Sequence, residues 1–328
     1  MDKPFIFITR SIPKEFVEPL RAVAEVEMWH SEEEPVPYDL LTEKAKKAQG
    51  LLTVLSDRID EELLKSATHL KVIANLAVGF DNIDIQAATT RQIYVCNTPD
   101  VLSDTTADLA MTLLMTTARN ILEASAHIKE NKWTSWSPYL LAGRDIHHKT
   151  LGIVGMGKIG EVLAKRAAGF DMNILYHNRS RNEQAENSLP VTYASMDDLL
   201  KKSDFVVCLT PLTKQTKNMF NEQAFKKMKK SAMFINVSRG GVVDEAALLK
   251  ALNEEEIAAA GLDVFVNEPI DSSHPLAIHP KVVALPHIGS ATVETRTSMI
   301  KLAVQNIEGV LAGHFPSTII NRELVPNS

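Results

Sequence analysis

Cysteine is scarce in this chain: only Cys96 and Cys208 occur in 328 residues. Both sit in apolar, strand-like surroundings and no C-x-x-C pair exists, so they read as core thiols rather than a disulfide framework, a redox pair or a metal site. A reducing compartment, by default the cytoplasm, is expected. Surplus positive charge is also missing. With 35 Lys and Arg against 41 Asp and Glu, the formal charge is −6 and no basic tail offsets it, which argues against a nucleic-acid partner. No apolar run approaches the ~20 residues needed to cross a bilayer. The N-terminus lacks the basic region and small-residue cleavage site of a signal peptide, and residues 4–9 read instead as a short strand. Neither internal repeats nor low-complexity segments are present. The ten histidines show no ligand spacing, so no metal is expected, and the adjacent His147 and His148 should point to different sides of the chain.

What is present is length enough for two cores and a repeating pattern of short apolar runs between helical ones. Residues 5–8, 26–29, 50–55, 70–74 and 93–96 read as strands, as do 151–154, 173–176, 205–209, 233–237, 258–262 and 282–285. This alternation predicts α/β architecture with parallel sheets. The chain is organised around the sixth of those strands, at 151–154, which runs straight into Gly155, Met156, Gly157, Lys158, Ile159 and Gly160. An amphipathic helix follows, with Ile159, Val162, Leu163 and Ala167 on one face. In this setting Gly155 turns the chain, Gly157 admits a pyrophosphate to the backbone, and Gly160 packs helix on strand. Exposed N–H groups at the helix start would hold the phosphates.

The glycine motif arrives only at residue 155, so a separate α/β unit must precede it, with substrate binding as its expected role. The expectation is two Rossmann-like, doubly wound parallel-sheet domains. Residues 101–287 would bind the dinucleotide, while 1–100 and 288–328 would form a smaller, discontinuous, flavodoxin-like substrate domain. A helix from about Ser103 to Arg119 looks apolar almost all round and should be buried between domains or subunits. The stretch 132–145, with Trp133, Trp136 and Tyr139 but no periodicity, is a candidate docking loop for a second copy, hence an expected homodimer.

Cofactor choice should be decided about twenty residues past the glycines, where a carboxylate would bind the adenosine ribose 2′-hydroxyl. The sequence there is Tyr176, His177, Asn178, Arg179, Ser180 and Arg181. No carboxylate stands in it. Arg179 and Arg181, with Asn178 and Ser180 as neutral donors, suit a 2′-phosphate instead, so NADPH is expected over NADH.

Four further segments each follow a strand with polar residues: N-V-S-R-G-G-V-V-D at 236–244, G-L-D-V-F-V-N-E-P at 261–269, P-H-I-G-S-A-T at 286–292 and N-L-A-V-G-F-D-N at 75–82. Together they resemble the D-isomer-specific 2-hydroxyacid dehydrogenase family over nearly the whole chain, most of all its glyoxylate/hydroxypyruvate and 2-ketogluconate reductases. The resemblance implies reduction of small 2-keto acids to D-2-hydroxy acids, with Arg239, Glu268 and His287 as the catalytic set. Those residue types suit the chemistry. Histidine can give a proton to a developing oxyanion near neutral pH. Glu268 beside it would stabilise the imidazolium and fix its tautomer, and the planar fork of Arg239 would hold the substrate carboxylate and polarise the keto oxygen.

The resemblance also implies backbone N–H groups at Val78 and Gly79 as a second grip on the carboxylate. It places Thr210, Pro211, Val237, Ser238, His287 and Gly289 along the cofactor and Asp263 at its carboxamide; Thr106 is either a further contact or a helix-internal hydroxyl. Cleft closure is expected to assemble this site. The nearest alternative substrate is another acid such as D-3-phosphoglycerate, although a full-length biosynthetic version would carry a regulatory domain after Ser328. A nucleotide-sensing corepressor is the alternative from another class, and the complete Arg, Glu and His set argues against it.

Overall fold

The computed structural model describes residues 3–326. The chain separates into two units, Met1–Leu102 with Thr292–Ser328, and Ser103–Ala291. Each has its own parallel sheet.

In the first unit the strands are β1 (Phe5–Ile8), β2 (Glu25–Met28), β3 (Gly50–Thr53), β4 (Val72–Asn75) and β5 (Tyr94–Cys96), in the order β2-β1-β3-β4-β5. All neighbours pair in parallel, and this is the flavodoxin-like order. Parallel sheets are covered by helices on both faces, so their inner strands are continuous apolar runs. Accordingly every residue of β3 and β4 is buried. The helix Val293–Leu311, from the far end of the chain, covers β3 and β4 with Met299, Ala303, Val304 and Ile307 buried. Side chains seal the return: Asn306 Nδ2 donates to Asn97 O at 3.1 Å, and Asn321 Oδ1 accepts from Val95 N–H at 3.0 Å.

The second unit holds β6 (Thr150–Val154), β7 (Asn173–His177), β8 (Val191–Tyr193), β9 (Phe205–Cys208), β10 (Met233–Asn236), β11 (Ala259–Leu262) and β12 (Val282–Ala284). Their order is β12-β11-β10-β9-β6-β7-β8. Counted from β6, this is the doubly wound dinucleotide-binding order 3-2-1-4-5-6 with one more strand at the edge. The order reverses between β6 and β9, so ligands are expected at the carboxyl ends of those strands. Strand ends differ by a residue or two from the sequence reading, and β8 was not anticipated. Its three residues are too few to show a period.

The helix Ser103–Ala118 is less apolar all round than expected. It is buried within the second unit, on the helix Lys158–Ala168 and on β10 and β11. It also keeps a solvated stripe of Asp104, Asp108, Thr112, Met115 and Arg119. The sequence hid this stripe because Thr and Met within it count toward the apolar pattern. Arg166 closes over it, donating to Asp104 and Asp108 at 2.7 and 2.8 Å. His147 and His148 are likewise not splayed apart. His148 adopts φ +61°, which breaks extended alternation and brings the two Nδ1 atoms within 3.2 Å. Among the described residues no helix is long and apolar enough to cross a membrane.

Candidate active site

The glycine turn leaves β6 at the point of reversal. Gly155 has φ +109°, and a Cβ there would lie 2.8 Å from Leu209 C and 2.9 Å from Leu209 O; no side chain fits. Gly157 caps the helix Lys158–Ala168, and a Cβ on it would meet nothing within 4 Å. Open space therefore faces the N–H groups of a helix start, where the dipole favours an anion. A Cβ on Gly160 would lie 2.5 Å from Gly155 O. The helix can start this close to the turn only with glycine there. Lys158 and Ile159 open the helix, and Met156 is buried beneath it.

The turn after β7 is bound to this glycine loop through side chains. Asn178 accepts from Met156 N–H at 2.6 Å and donates to Met156 O at 3.1 Å, while Asn182 donates to Met156 O at 3.2 Å and to Glu161 Oε1 at 2.8 Å. Arg179 and Ser180 are exposed. The expectation that no carboxylate stands at this turn is corrected: Glu186, from the short helix Glu183–Ser188, pairs with Arg181 through both carboxylate oxygens. That hydrogen bond, then the one from Tyr176, holds Glu186 below the usual carboxylate range against a smaller opposing effect of burial. Sequence spacing gave no sign of it, because the distance between a turn and the next helix depends on the chain path between them.

On the other side of the reversal, Thr210 Oγ1 donates to Val154 O at 3.0 Å, fixing the segment that contains Pro211 beside the glycine turn. Beyond β10, Ser238 donates to Asn236 Oδ1 at 2.8 Å, Asn236 Nδ2 donates to Arg239 O at 3.0 Å, and Val237 is buried. The Arg239 guanidinium folds back to its neighbour, Nη1 donating to Ser238 O at 2.9 Å. Gly240 then passes so close to the next loop that a Cβ would fall 1.8 Å from Phe265 C. This contact joins the loop carrying Arg239 to the loop carrying Glu268.

Glu268 is held from both sides. Its Oε1 accepts from Phe265 N–H at 2.9 Å, and its Oε2 accepts from His287 Nδ1 at 2.7 Å. Burial raises the Glu268 pKa, but the His287 hydrogen bond and charge, the Phe265 amide and the Arg239 charge together bring it below the ordinary value. The adjacent amide, Val266 N–H, is taken by Glu245 Oε1 at 2.8 Å.

His287 has φ +55°, a conformation that costs a non-glycine residue about 1–3 kcal/mol unless its surroundings impose it. Asp263 imposes it. The backbone oxygen of Asp263 accepts from His287 N–H at 2.9 Å and its Oδ1 accepts from Ile288 N–H at 2.7 Å. Asp263 is 1% exposed, and its Oδ2 is buried with no hydrogen-bond partner. Burial pushes its pKa up, opposed by the Ile288 amide, the His287 charge and the Gly289 amide. Buried acceptors are rarely left unpaired, and a carboxamide N–H would complete this one. Gly289 and buried Thr106 border the same oxygen: a Cβ on Gly289 would lie 3.3 Å from Asp263 Oδ2 and 3.5 Å from Thr106 Cγ2.

In the first unit the turn after β4 has its carbonyls occupied, Val78 O by Asn97 Nδ2 at 2.8 Å and Gly79 O by Asn75 Nδ2 at 3.0 Å. Among the described residues the amides of Val78 and Gly79 donate to no protein acceptor, which leaves two N–H groups for an anion. No cluster of His, Cys, Asp and Glu able to hold a metal is found among the described residues.

A doubly wound sheet with a phosphate-accepting glycine turn, an orphaned carboxylate oxygen and a histidine–carboxylate pair beyond its strand ends defines an NAD-binding oxidoreductase. Residues 111–289 match the family described as D-isomer specific 2-hydroxyacid dehydrogenase, NAD binding domain. The glyoxylate reductase of Pyrococcus horikoshii is 46% identical over 327 residues, covering 98% of this chain and 97% of its own. That of Thermococcus kodakarensis is 46% identical and covers 98% of each chain. Among solved structures, the NADPH-dependent glyoxylate/hydroxypyruvate reductase of Sinorhizobium meliloti, in complex with NADP and malonate, is 31% identical with a TM-score of 0.87, covering 98% of this chain and 97% of its own. A Thermus thermophilus protein superimposes with a TM-score of 0.90 at 40% identity, covering 96% and 99%. The chain belongs to the D-isomer specific 2-hydroxyacid dehydrogenase family.

Proposed function

We propose that this enzyme reduces small 2-keto acids (glyoxylate, hydroxypyruvate and 2-ketogluconate) to D-2-hydroxy acids, with NADPH preferred to NADH. The observation that carries the reading is the 2.7 Å bond between His287 Nδ1 and Glu268 Oε2, within reach of the Arg239 charge. The hydride would come from a reduced nicotinamide held by the second unit. His287, its Nδ1–H committed to Glu268, presents Nε2 to the substrate and gives the carbonyl oxygen its proton as that oxygen gains charge. Glu268 remains ionised and keeps the ring oriented. Arg239 binds the substrate carboxylate through its fork and draws charge toward the keto oxygen. The amides of Val78 and Gly79, in the first unit, are two further donors of the kind a carboxylate takes. In the oxidative direction His287 takes the proton back.

For the cofactor, the glycine turn with Met156, Lys158 and Ile159 would hold the pyrophosphate with Thr210 and Pro211 beside it, Val237 and Ser238 would run past the nicotinamide ribose, and Asp263 would meet the carboxamide, with Thr106 and Gly289 adjoining. Asn178, Arg179 and Ser180 would bind the adenosine 2′-phosphate. Arg179 makes no ion pair among the described residues. The homologue solved with NADP is NADPH-dependent, which supports this preference.

The reading includes a cytoplasmic homodimer. Two buried free thiols suit a reducing compartment. The helix Ile121–Lys129 buries none of its residues, and nearby Trp136 and Tyr139 are 78% and 87% exposed, an apolar surface of the kind a second copy covers. Sedimentation should give twice the 36.2 kDa chain mass; a monomer at micromolar concentration would remove this part.

Oxidation of NADPH and NADH measured against a panel of 2-keto acids tests the function. Turnover of glyoxylate or hydroxypyruvate is expected. If no 2-keto acid supports oxidation of either cofactor, the reading is wrong.

A further inference from the structure

The turn after β7 carries two arginines in different electrostatic situations. Arg179 is exposed and forms no ion pair among the described residues. Arg181 is paired with Glu186 through Nε and Nη2, and its guanidinium lies 5.5 Å over the Tyr193 ring. Glu186 is itself anchored. Its Oε1 accepts from the hydroxyl of Tyr176 at 2.5 Å, the Tyr176 residue is 0% exposed, and the same phenol oxygen accepts from Asn182 N–H at 2.8 Å. Asn182 in turn holds the glycine loop. The carboxylate therefore cannot swing away from Arg181 without leaving the O–H donor of Tyr176 without its acceptor, which is costly.

We infer that Glu186 is a specificity-determining residue of the cofactor site: it withholds Arg181 from a 2′-phosphomonoester and leaves discrimination between NADPH and NADH to Arg179. This rests on the reading that the turn receives the 2′-phosphate. A phosphate arriving there meets one available guanidinium and one already neutralised by a carboxylate, which also repels it. A dinucleotide with a free 2′-hydroxyl meets no such opposition, so NADH remains a usable cofactor. The lowered Glu186 pKa keeps its charge in place at neutral pH.

The test is the ratio of kcat/KM for NADPH to that for NADH, with saturating glyoxylate, in the full-length enzyme and its variants. Glu186→Gln keeps an acceptor for Tyr176 and removes the charge, so the ratio should rise by roughly three- to tenfold, the range of a partly exposed charge contact. The rise should vanish in Glu186→Gln/Arg181→Ala. Arg181→Ala alone is the second variant: it leaves the Glu186 carboxylate unneutralised beside the phosphate, so its ratio should fall below the parent's, whereas the double variant, having lost both charges, should stay within about twofold of the parent. An unchanged or lowered ratio in Glu186→Gln, or a double variant whose ratio falls as far below the parent as that of Arg179→Ala, overturns the role of Glu186. Arg179→Ala separates the two levels. If it lowers kcat/KM equally for both cofactors, the 2′-phosphate reading itself fails and this inference falls with it; if it lowers only NADPH, the Glu186 outcomes stand on their own.

Discussion

Two regions on either side of the same topological reversal are built by different means. The corner proposed to carry the catalysis comes from the loops after β10, β11 and β12, and its members are fixed by backbone: Gly240 against Phe265, Asp263 against His287 and Ile288, and Glu268 against the Phe265 amide. The turn after β7, proposed to select the cofactor, is instead held by side chains, chiefly Asn178, Asn182, Tyr176 and Glu186. Proton transfer tolerates little displacement, a demand that the backbone-locked loops of the proposed corner would meet. Cofactor choice, as proposed for the turn, would rest on a difference in charge at an exposed surface.

The comparison breaks first at His287. Replacing it with asparagine should lower kcat for keto-acid reduction by roughly 10²–10⁴-fold, the usual share of a positioned general acid, with cofactor binding by fluorescence nearly unchanged. A loss under about tenfold would detach the corner from the chemistry. On the other side, Arg179→Asp should cost NADPH about 10–100-fold in kcat/KM, as loss of a charge-assisted bond predicts, and NADH only a few-fold. Equal losses would mean that the turn selects nothing. Gly240→Ala should show that the corner is locked by backbone. A Cβ 1.8 Å from Phe265 C forces the two loops apart, so a destabilisation of about 1–3 kcal/mol, or several degrees in Tm, is expected along with reduced kcat. An alanine variant with parental Tm and activity would refute the lock.

The smallest effect is the pH dependence of stability. The folded-state pKa of Glu268 is lowered, despite burial, by His287, the Phe265 amide and Arg239. Its contribution is therefore present above the unfolded glutamate value of about 4.3 and is lost as pH falls through the folded value. Thermal unfolding of the parent and Glu268→Gln should differ most at neutral pH and converge in acid. A gap that widens in acid would reverse the assigned sign.

The two regions also differed in how legible they were in the sequence. The parallel α/β architecture followed from alternating apolar runs and the glycine spacing, because helix and strand periods are local. The corner was legible only as three strand-end motifs resembling a family. Nothing in those motifs shows that Gly240 is pressed on Phe265 or that one oxygen of Asp263 is buried without a partner, since both depend on how neighbouring loops stack. At the turn, the composition of residues 176–181 was legible but Glu186 was not; a short helix returned it to Arg181. Strand β8 escaped because three residues carry no period, and the wet stripe on the helix Ser103–Ala118 because Thr112 and Met115 resemble core residues.

The central claim is that Glu268 acts through His287 as one proton-donating unit. Single-turnover reduction of a 2-keto acid by His287→Asn, Glu268→Gln and the double variant tests it most directly. If the two act as a unit, adding Glu268→Gln to His287→Asn costs less than about twofold further, since a partner of an absent ring has nothing left to orient. If the two losses multiply instead, Glu268 has a separate role and the claim is contradicted.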